Sequence, residues 1–159
     1  GSWFMSLPLQ YGLRWGEVWA TDDTSAVAVW IPPGSGEMGF GRMLQVGLAK
    51  MPFRLGVTGS RRFIQSLSKT EPFHKSVDAP HWYLVAVGAR ADCRGQGLGS
   101  ALVDVGTSRA DEAGVPCYLE TGTRSNVDFY TKRGFEIVGQ TEYLGHTLTG
   151  MVRQPSTAR

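Results

Sequence analysis

Cysteine is scarce: Cys93 and Cys117 are the two in the chain, and two cysteines do not make a disulfide framework. No apolar run is long enough to span a bilayer, and no stretch reads as a signal peptide, so no membrane partner is expected. Charge is sparse and balanced. Charged residues make up 19%, and the net charge of +2 comes from interspersed signs, which argues against a dedicated nucleic-acid surface. No spacing of His, Cys, Asp and Glu suggests a metal site, and no repeat or low-complexity segment appears. What remains is a globular chain of 159 residues, 42% hydrophobic, which suits one domain with a sizeable core. Cys117 falls in a buried strand and Cys93 in a loop. Both read as inert thiols of a reducing cytoplasm.

The chain is organised around residues 82–114. Trp82-Tyr83-Leu84-Val85-Ala86-Val87 is a nearly continuous apolar strand, rich in β-branched and aromatic residues. A polar connection follows from Gly88 to Cys93. Arg94-Gly95-Gln96-Gly97-Leu98-Gly99 then opens a helical pattern over Ser100–Ala110. Three glycines at alternate positions permit φ > 0 and let the backbone approach a ligand. Free amides and the positive dipole end at a helix start make an anion site suited to a pyrophosphate. A Rossmann fingerprint fails here, because Ser100 stands where its last glycine belongs. A P-loop fails as well, since the turn holds no lysine.

The remaining chain supplies the frame. Gly1-Ser2 resembles a remnant of cloning, and Trp3–Arg14 reads as a short or interrupted helix because Pro8 lies in its middle. Glu17–Ala20 and Ala26–Ile31 form an antiparallel strand pair around a Thr21–Ser25 turn. Residues 35–80 are the least legible. Met43 to Met51 suggests a helix ended by Pro52, and Arg61 to Leu67 another that stops before Pro72. Arg54, Arg61, Arg62 and Lys69 read as a solvated face. This helical insertion is expected to supply the outer wall of a substrate pocket. Gly114 caps the glycine-turn helix, Val115–Thr121 is a strand, and the βαβ unit over residues 82–121 implies parallel strands. Asn126–Phe135 is a short helix capped by Ser125 or Asn126 and ended by Gly134 in the left-handed conformation. A strand starting at Phe135–Gly139 and a returning one over Thr147–Arg153 follow, with residues 154–159 as a frayed tail.

The turn R-x-x-G-x-G in Arg94–Gly99 is similar to the one by which GNAT acetyltransferases hold the pyrophosphate of acetyl-CoA. The later run Leu119-Glu120-Thr121, then Asn126-x-x-Phe129-Tyr130-x-x-x-Gly134-Phe135, resembles the same superfamily. Within it, Trp82-Tyr83-Leu84, Ala113-Gly114-Val115-Pro116, Gly16–Ala20 and Ala26–Trp30 are closest to the puromycin N-acetyltransferase-like branch. The likeness covers most of residues 3–153. It implies an α/β (α+β) GNAT fold: a central mixed twisted sheet splayed between its fourth and fifth strands, with helices on both faces. The resemblance also implies a further strand and helix ahead of Trp3, and these are expected to be missing here. The loop position often held by proline is Ala91, which is expected to loosen the turn. Gly150 stands where relatives often carry a bulky aromatic, which leaves the pocket floor open.

Site residues follow from the resemblance. A bulge and splay in the organising strand would bind pantetheine as an added strand, with one amide aimed at the thioester oxygen; Val87, Gly88 and Ala89 occupy that place. Arg94, Gly95, Gln96, Gly97, Leu98, Gly99 and Ser100 would cradle the pyrophosphate. Asn126 would hydrogen-bond the pantetheine amide, or serve as the helix cap, or both. Tyr130, near the start of the short helix, holds the place of the phenol that protonates the coenzyme A thiolate. The alternative is a packing residue beside Phe129.

Acetyl transfer to an amine itself demands a polarised carbonyl, a deprotonated amine and a proton for the leaving thiolate. Glu120, at the C-terminal end of its strand, could take the amine proton directly or through water, orient a cationic substrate, or be an exposed strand-end carboxylate. His74, His81 and His146 are alternative bases. The expected activity is acetyl-CoA-dependent N-acetylation of a primary amine of a small molecule, in a ternary complex and without a metal. A non-catalytic acyl-CoA-binding or interaction module, or acetylation of a protein N-terminus or lysine, stands as the alternative. Trp3, Phe4, Leu7 and Leu13 are expected to lack a partner for one face, and with the edge strand Gly16–Thr21 they imply either self-association through that edge, as in a homodimer, or a chain trimmed from a longer one.

Overall fold

A computed structural model describes residues 2–35 and 38–157, with side chains from Ser6 onward. Gly1 of the expected cloning remnant, the last two residues of the expected tail, and the side chains of Trp3 and Phe4 lie outside the described residues. In chain order the elements are α1 (Ser2–Trp15), β1 (Glu17–Ala20), β2 (Ala26–Ile31), α2 (Phe40–Gln45), α3 (Met51–Lys75), β3 (Trp82–Ala89), α4 (Leu98–Ala113), β4 (Cys117–Thr121), α5 (Arg124–Thr131), β5 (Glu136–Tyr143) and β6 (His146–Arg153). The fold is mixed α/β, with six strands of a mixed sheet and five α-helices among the described residues. The chain divides into two compact units: residues 1–37, 79–117 and 154–159 form the first, and residues 38–78 and 118–153 the second.

In the first unit β1, β2 and β3 are antiparallel neighbours in that order. The turn between β1 and β2 forms over Thr21–Ser25. Asp23 Oδ1 accepts from the Ser25 amide at 3.0 Å and from the Thr21 hydroxyl at 2.9 Å. These bonds, with that from the Ser25 side chain the strongest, hold the exposed Asp23 carboxyl down at about 2. All of β2 except Val27 is buried, as its apolar run requires. α1 rests on β1 and β2 where small residues permit it: a Cβ on Gly12 would come 2.5 Å from Val29 Cγ1 and 2.9 Å from Val18 Cγ2.

Two expectations for the first unit are corrected. α1 is one helix of 14 residues that runs through Pro8 rather than breaking there. Leu7 and Tyr11 are buried at 2% and 0% exposure, so burial of one helix face outweighs the single missing backbone donor. Leu7 accordingly has its partner, whereas Leu13 stays 69% exposed.

In the second unit β5 and β6 form a hairpin closed by Leu144 and Gly145, both at positive φ (51° and 78°), the primed geometry that matches strand twist. β4 neighbours β6. Gly139 and Gly150 are register partners across β5 and β6, and the Phe73 ring of α3 fills the notch they leave. A Cβ on Gly139 would stand 2.8 Å from Phe73 Cγ, and one on Gly150 would stand 2.8 Å from Phe73 Cβ. An aromatic ring therefore does fill the space at Gly150, delivered by a helix instead of a strand.

The helices of this unit differ from expectation at both prolines. α2 ends at Gln45, Gly47 turns the chain at φ 111°, and Pro52 opens α3 instead of ending a helix. Proline at a first helical turn forfeits no bond and is preset in φ. α3 bends at Gly56 (φ 70°, ψ 171°) and then continues through Pro72 to Lys75. Seating Phe73 in the glycine notch holds the last turn helical beyond the proline. Arg54, Arg61, Arg62 and Lys69 are exposed, in keeping with a solvated face.

Candidate active site

The first unit brings the glycine turn to the end of β3. That strand extends two residues beyond the expected one, through Gly88 and Ala89, so the connection starts at Arg90. Its register with β2 jumps at one point: Val29 faces Ala86, while Trp30 faces Leu84. Val85 is thus the extra residue of a β-bulge. Bulges re-aim the strand that follows and cluster beside functional sites. The bulge lies upstream of Val87, Gly88 and Ala89, and these three are in register with Ala28, Val27 and Ala26 of β2.

The connection is more ordered than Ala91 in place of proline led us to expect. Ala91–Cys93 forms a 3₁₀ turn closed by the Cys93 amide donating to the Arg90 carbonyl at 3.0 Å. The Arg90 guanidinium grips Asp92 with two bonds, at 3.1 and 2.8 Å, and holds that exposed carboxyl below its usual value. Arg94, Gly95, Gln96 and Gly97 follow, all exposed.

Gly95 and Gly97 adopt φ of 79° and 76°, and beyond the adjoining residues no atom stands within 4 Å of where a Cβ would be on either. Gly99 departs from expectation: it lies inside α4, without positive φ, where a Cβ would meet Val87 Cγ2 at 3.8 Å. α4 starts at Leu98, and its first ladder bond runs from the Ala101 amide to the Gly97 carbonyl at 3.0 Å. The amides preceding Ala101 lie ahead of the ladder, at the positive end of a helix of 16 residues. Gly114 at φ 65° caps the other end, as expected.

The second unit carries Glu120 at the end of β4 and Asn126 and Tyr130 on α5. α5 spans Arg124–Thr131, so Tyr130 sits near its end, not its start. The cap is Thr123, whose hydroxyl accepts from the Asn126 amide at 3.3 Å. This relieves the exposed Asn126 side chain of the capping role. Gly134, at φ 86°, turns the chain as expected.

Tyr130 is buried at 6% exposure, its ring set edge-on to Phe129 at 5.0 Å and tilted against Phe135 at 5.6 Å. Burial pushes its phenol up to about 12, against a smaller opposing pull from the Arg133 charge. Glu120 is half-buried and accepts a hydrogen bond at 2.9 Å from the hydroxyl of Tyr118, which was missed. Their spacing of two along a strand, which places both on one face, was the available signal. His74 stacks on the Tyr118 ring at 4.4 Å and 15°. His81 Nδ1 pairs with the Ala79 carbonyl at 2.7 Å in the first unit, and His146 is exposed at the start of β6. Cys117 is buried and Cys93 half-buried, and neither is in a disulfide. Among the described residues no helix is long and apolar enough to cross a membrane, and no group of three or more His, Cys, Asp or Glu is placed to hold a metal.

Residues 61–135 match the acetyltransferase (GNAT) family, a span that includes the glycine turn, Glu120 and Tyr130. An uncharacterized N-acetyltransferase of Schizosaccharomyces pombe is 29% identical over 152 residues, covering 89% of this chain and 61% of that protein. The chain thus spans less than two thirds of that relative. Among solved structures, a histone acetyltransferase HPA2 and related acetyltransferase from Corynebacterium glutamicum superposes with a TM-score of 0.59 at 20% identity, over 99% of this chain and 76% of that one. The polyamine N-acetyltransferase of Drosophila melanogaster, which catalyses formation of N-acetylagmatine, gives 0.61 at 12% identity, over 90% and 77%. The structural likenesses show the fold.

Proposed function

We propose that this chain moves the acetyl group of acetyl-CoA to a primary amine of a small molecule, by direct attack within a ternary complex. The observation that carries the reading is the open turn Arg94–Ser100. It has two left-handed glycines, no atom where their side chains would be, and a helix of 16 residues behind it. A pyrophosphate there meets backbone N–H groups and the positive helix end instead of methyl groups. Arg94 adds an exposed positive charge, and Gln96, Leu98, Gly99 and Ser100 complete the cradle. Val87, Gly88 and Ala89 offer backbone to the pantetheine arm, re-aimed by the bulge at Val85. Asn126, freed from capping by Thr123, offers its amide to the same arm. The finer likeness to the puromycin N-acetyltransferase-like branch and a cytoplasmic setting belong to this reading.

The amine nitrogen attacks the thioester carbonyl carbon. A C–N bond forms, the C–S bond breaks, and its electron pair leaves on sulfur. Glu120 takes the proton the nitrogen sheds, directly or through water. The Tyr130 O–H meets the departing sulfur. Its phenol, near 12, is a weaker acid than a thiol of reference value about 8.5, so outright transfer would run uphill by on the order of 5 kcal/mol. The phenol therefore stabilises the sulfur by a hydrogen bond as charge develops, and water completes the protonation.

Thiol release from acetyl-CoA across a panel of amines, with mass spectrometry of the products, tests the reading. Amine-dependent release with an acetylated small amine is expected. Tight acetyl-CoA binding without release would make the chain a binding module. Acetylation confined to a peptide N-terminus or lysine would move the acceptor class.

A further inference from the structure

We propose that Tyr118 is the positioning residue for Glu120 and that the end of α3 sets it in place. This rests on the reading of Glu120 as the base. Tyr118 and Glu120 alternate on β4, and the hydroxyl donates to Glu120 Oε1 at 2.9 Å. The Tyr118 ring is fully buried, whereas Glu120 keeps part of its surface open.

Two neighbouring residues of α3 determine where that ring lies. His74 stacks on its face at 4.4 Å and 15°. Phe73 fills the notch between Gly139 and Gly150, which fixes the helix end that carries His74. Gly150 also leaves the hydroxyl its room, since a Cβ there would stand 3.1 Å from the Tyr118 oxygen. With the ring clamped, the O–H torsion is the freedom that remains, and it is spent on Glu120. A glutamate side chain has several rotatable bonds, and a hydrogen bond from a fixed donor narrows them to the arrangement that faces the amine.

A structural account runs the other way: a buried tyrosine hydroxyl needs an acceptor, and Glu120 supplies one. Kinetics separate the two. Wild type, Tyr118→Phe, Glu120→Gln and the double variant are compared with acetyl-CoA and the amine found by the panel. His74→Ala, which loosens the ring but spares the hydroxyl, is the second route should Tyr118→Phe lose its thermal transition.

Tyr118→Phe is expected to lower kcat about tenfold with the acetyl-CoA KM held within about twofold, and to lower nothing further once Glu120 is Gln. His74→Ala is expected to follow the same pattern at smaller size. An unchanged kcat in a folded Tyr118→Phe, or the same fractional loss in both Glu120 backgrounds, overturns the positioning role. A full-rate Glu120→Gln overturns the base assignment and this proposal with it. A wild type that turns over no amine overturns instead the transferase reading on which both rest.

Discussion

Gly106 of α4 lies against the indole of Trp30 in β2 with no room for a methyl group between them: a Cβ at Gly106 would stand 2.6 Å from Trp30 Cδ2. Trp30 is fully buried, and its indole N–H reaches the Leu102 carbonyl of the same helix at 3.4 Å. This contact seats α4, and with α4 the turn at its N-terminus.

Gly106→Ala is therefore a test of how the site is held. Glycine in a helix interior is ordinarily worse than alanine by roughly 0.5–1 kcal/mol, so an exposed position would gain from the change. Here overpacking against a buried ring outweighs that gain and is expected to cost about 1–3 kcal/mol. Urea unfolding should show a lower midpoint with the slope unchanged. A midpoint at or above wild type would mean that Trp30 can yield, and that α4 is seated by other contacts.

The glycine turn admits a sharper substitution. Gly97 is exposed at φ 76°, and no neighbour stands within 4 Å of a side chain placed there. Gly97→Glu should leave the domain folded, at about 1 kcal/mol for the left-handed backbone. The carboxylate would stand where a pyrophosphate is proposed to sit and would repel it. Calorimetry should register no coenzyme A binding in the variant. Undiminished affinity in the folded variant would remove the cradle from this turn.

The parts of this structure readable from sequence are those fixed by local chemistry. The apolar run of β3, the left-handed glycines at Gly95, Gly97, Gly114 and Gly134, and the turn at Asp23 depend on neighbours a few residues away, and they appear where expected. The misreadings share another cause. Proline reads locally as a helix stop, but at Pro8 and Pro72 burial of Leu7 and the seating of Phe73 override a lost donor, while Pro52 opens its helix. The resemblance implied a bulge at Val87–Ala89, but those residues pair regularly with β2 and the bulge falls at Val85, because its place depends on β2, which lies more than fifty residues upstream. The same holds for His74 on Tyr118, a pairing made by tertiary packing alone. Gly150 looked like a missing aromatic until Phe73 was seen in its place.

Tyr130→Phe keeps the ring between Phe129 and Phe135 and removes the O–H. If the phenol contributes a hydrogen bond to a developing thiolate and not a full proton transfer, the loss is that of one charged hydrogen bond. That corresponds to roughly a ten- to hundredfold drop in kcat. Coenzyme A affinity should change little. Single-turnover measurement, which isolates the chemical step, is the check. A rate equal to wild type would leave Tyr130 as packing alone, and a loss beyond about a thousandfold would favour outright proton transfer.

The same phenol makes a prediction for stability against pH. Burial holds it at about 12 in the folded chain, above the value near 10 expected of an unfolded tyrosine. The folded state therefore keeps its proton where the unfolded state has begun to lose it. By linkage, the stability this contributes is fully present below pH 10 and is lost as pH rises toward 12. Tyr130→Phe has no proton to lose, so its urea midpoint should fall less steeply than that of wild type through this window. Below pH 9 the two proteins should differ by a constant offset, since neither ring is charged there. Parallel curves across the whole range would show that the hydroxyl is solvated in the folded state. In that case its high value, and the argument that it acts on sulfur by hydrogen bonding alone, would both fall.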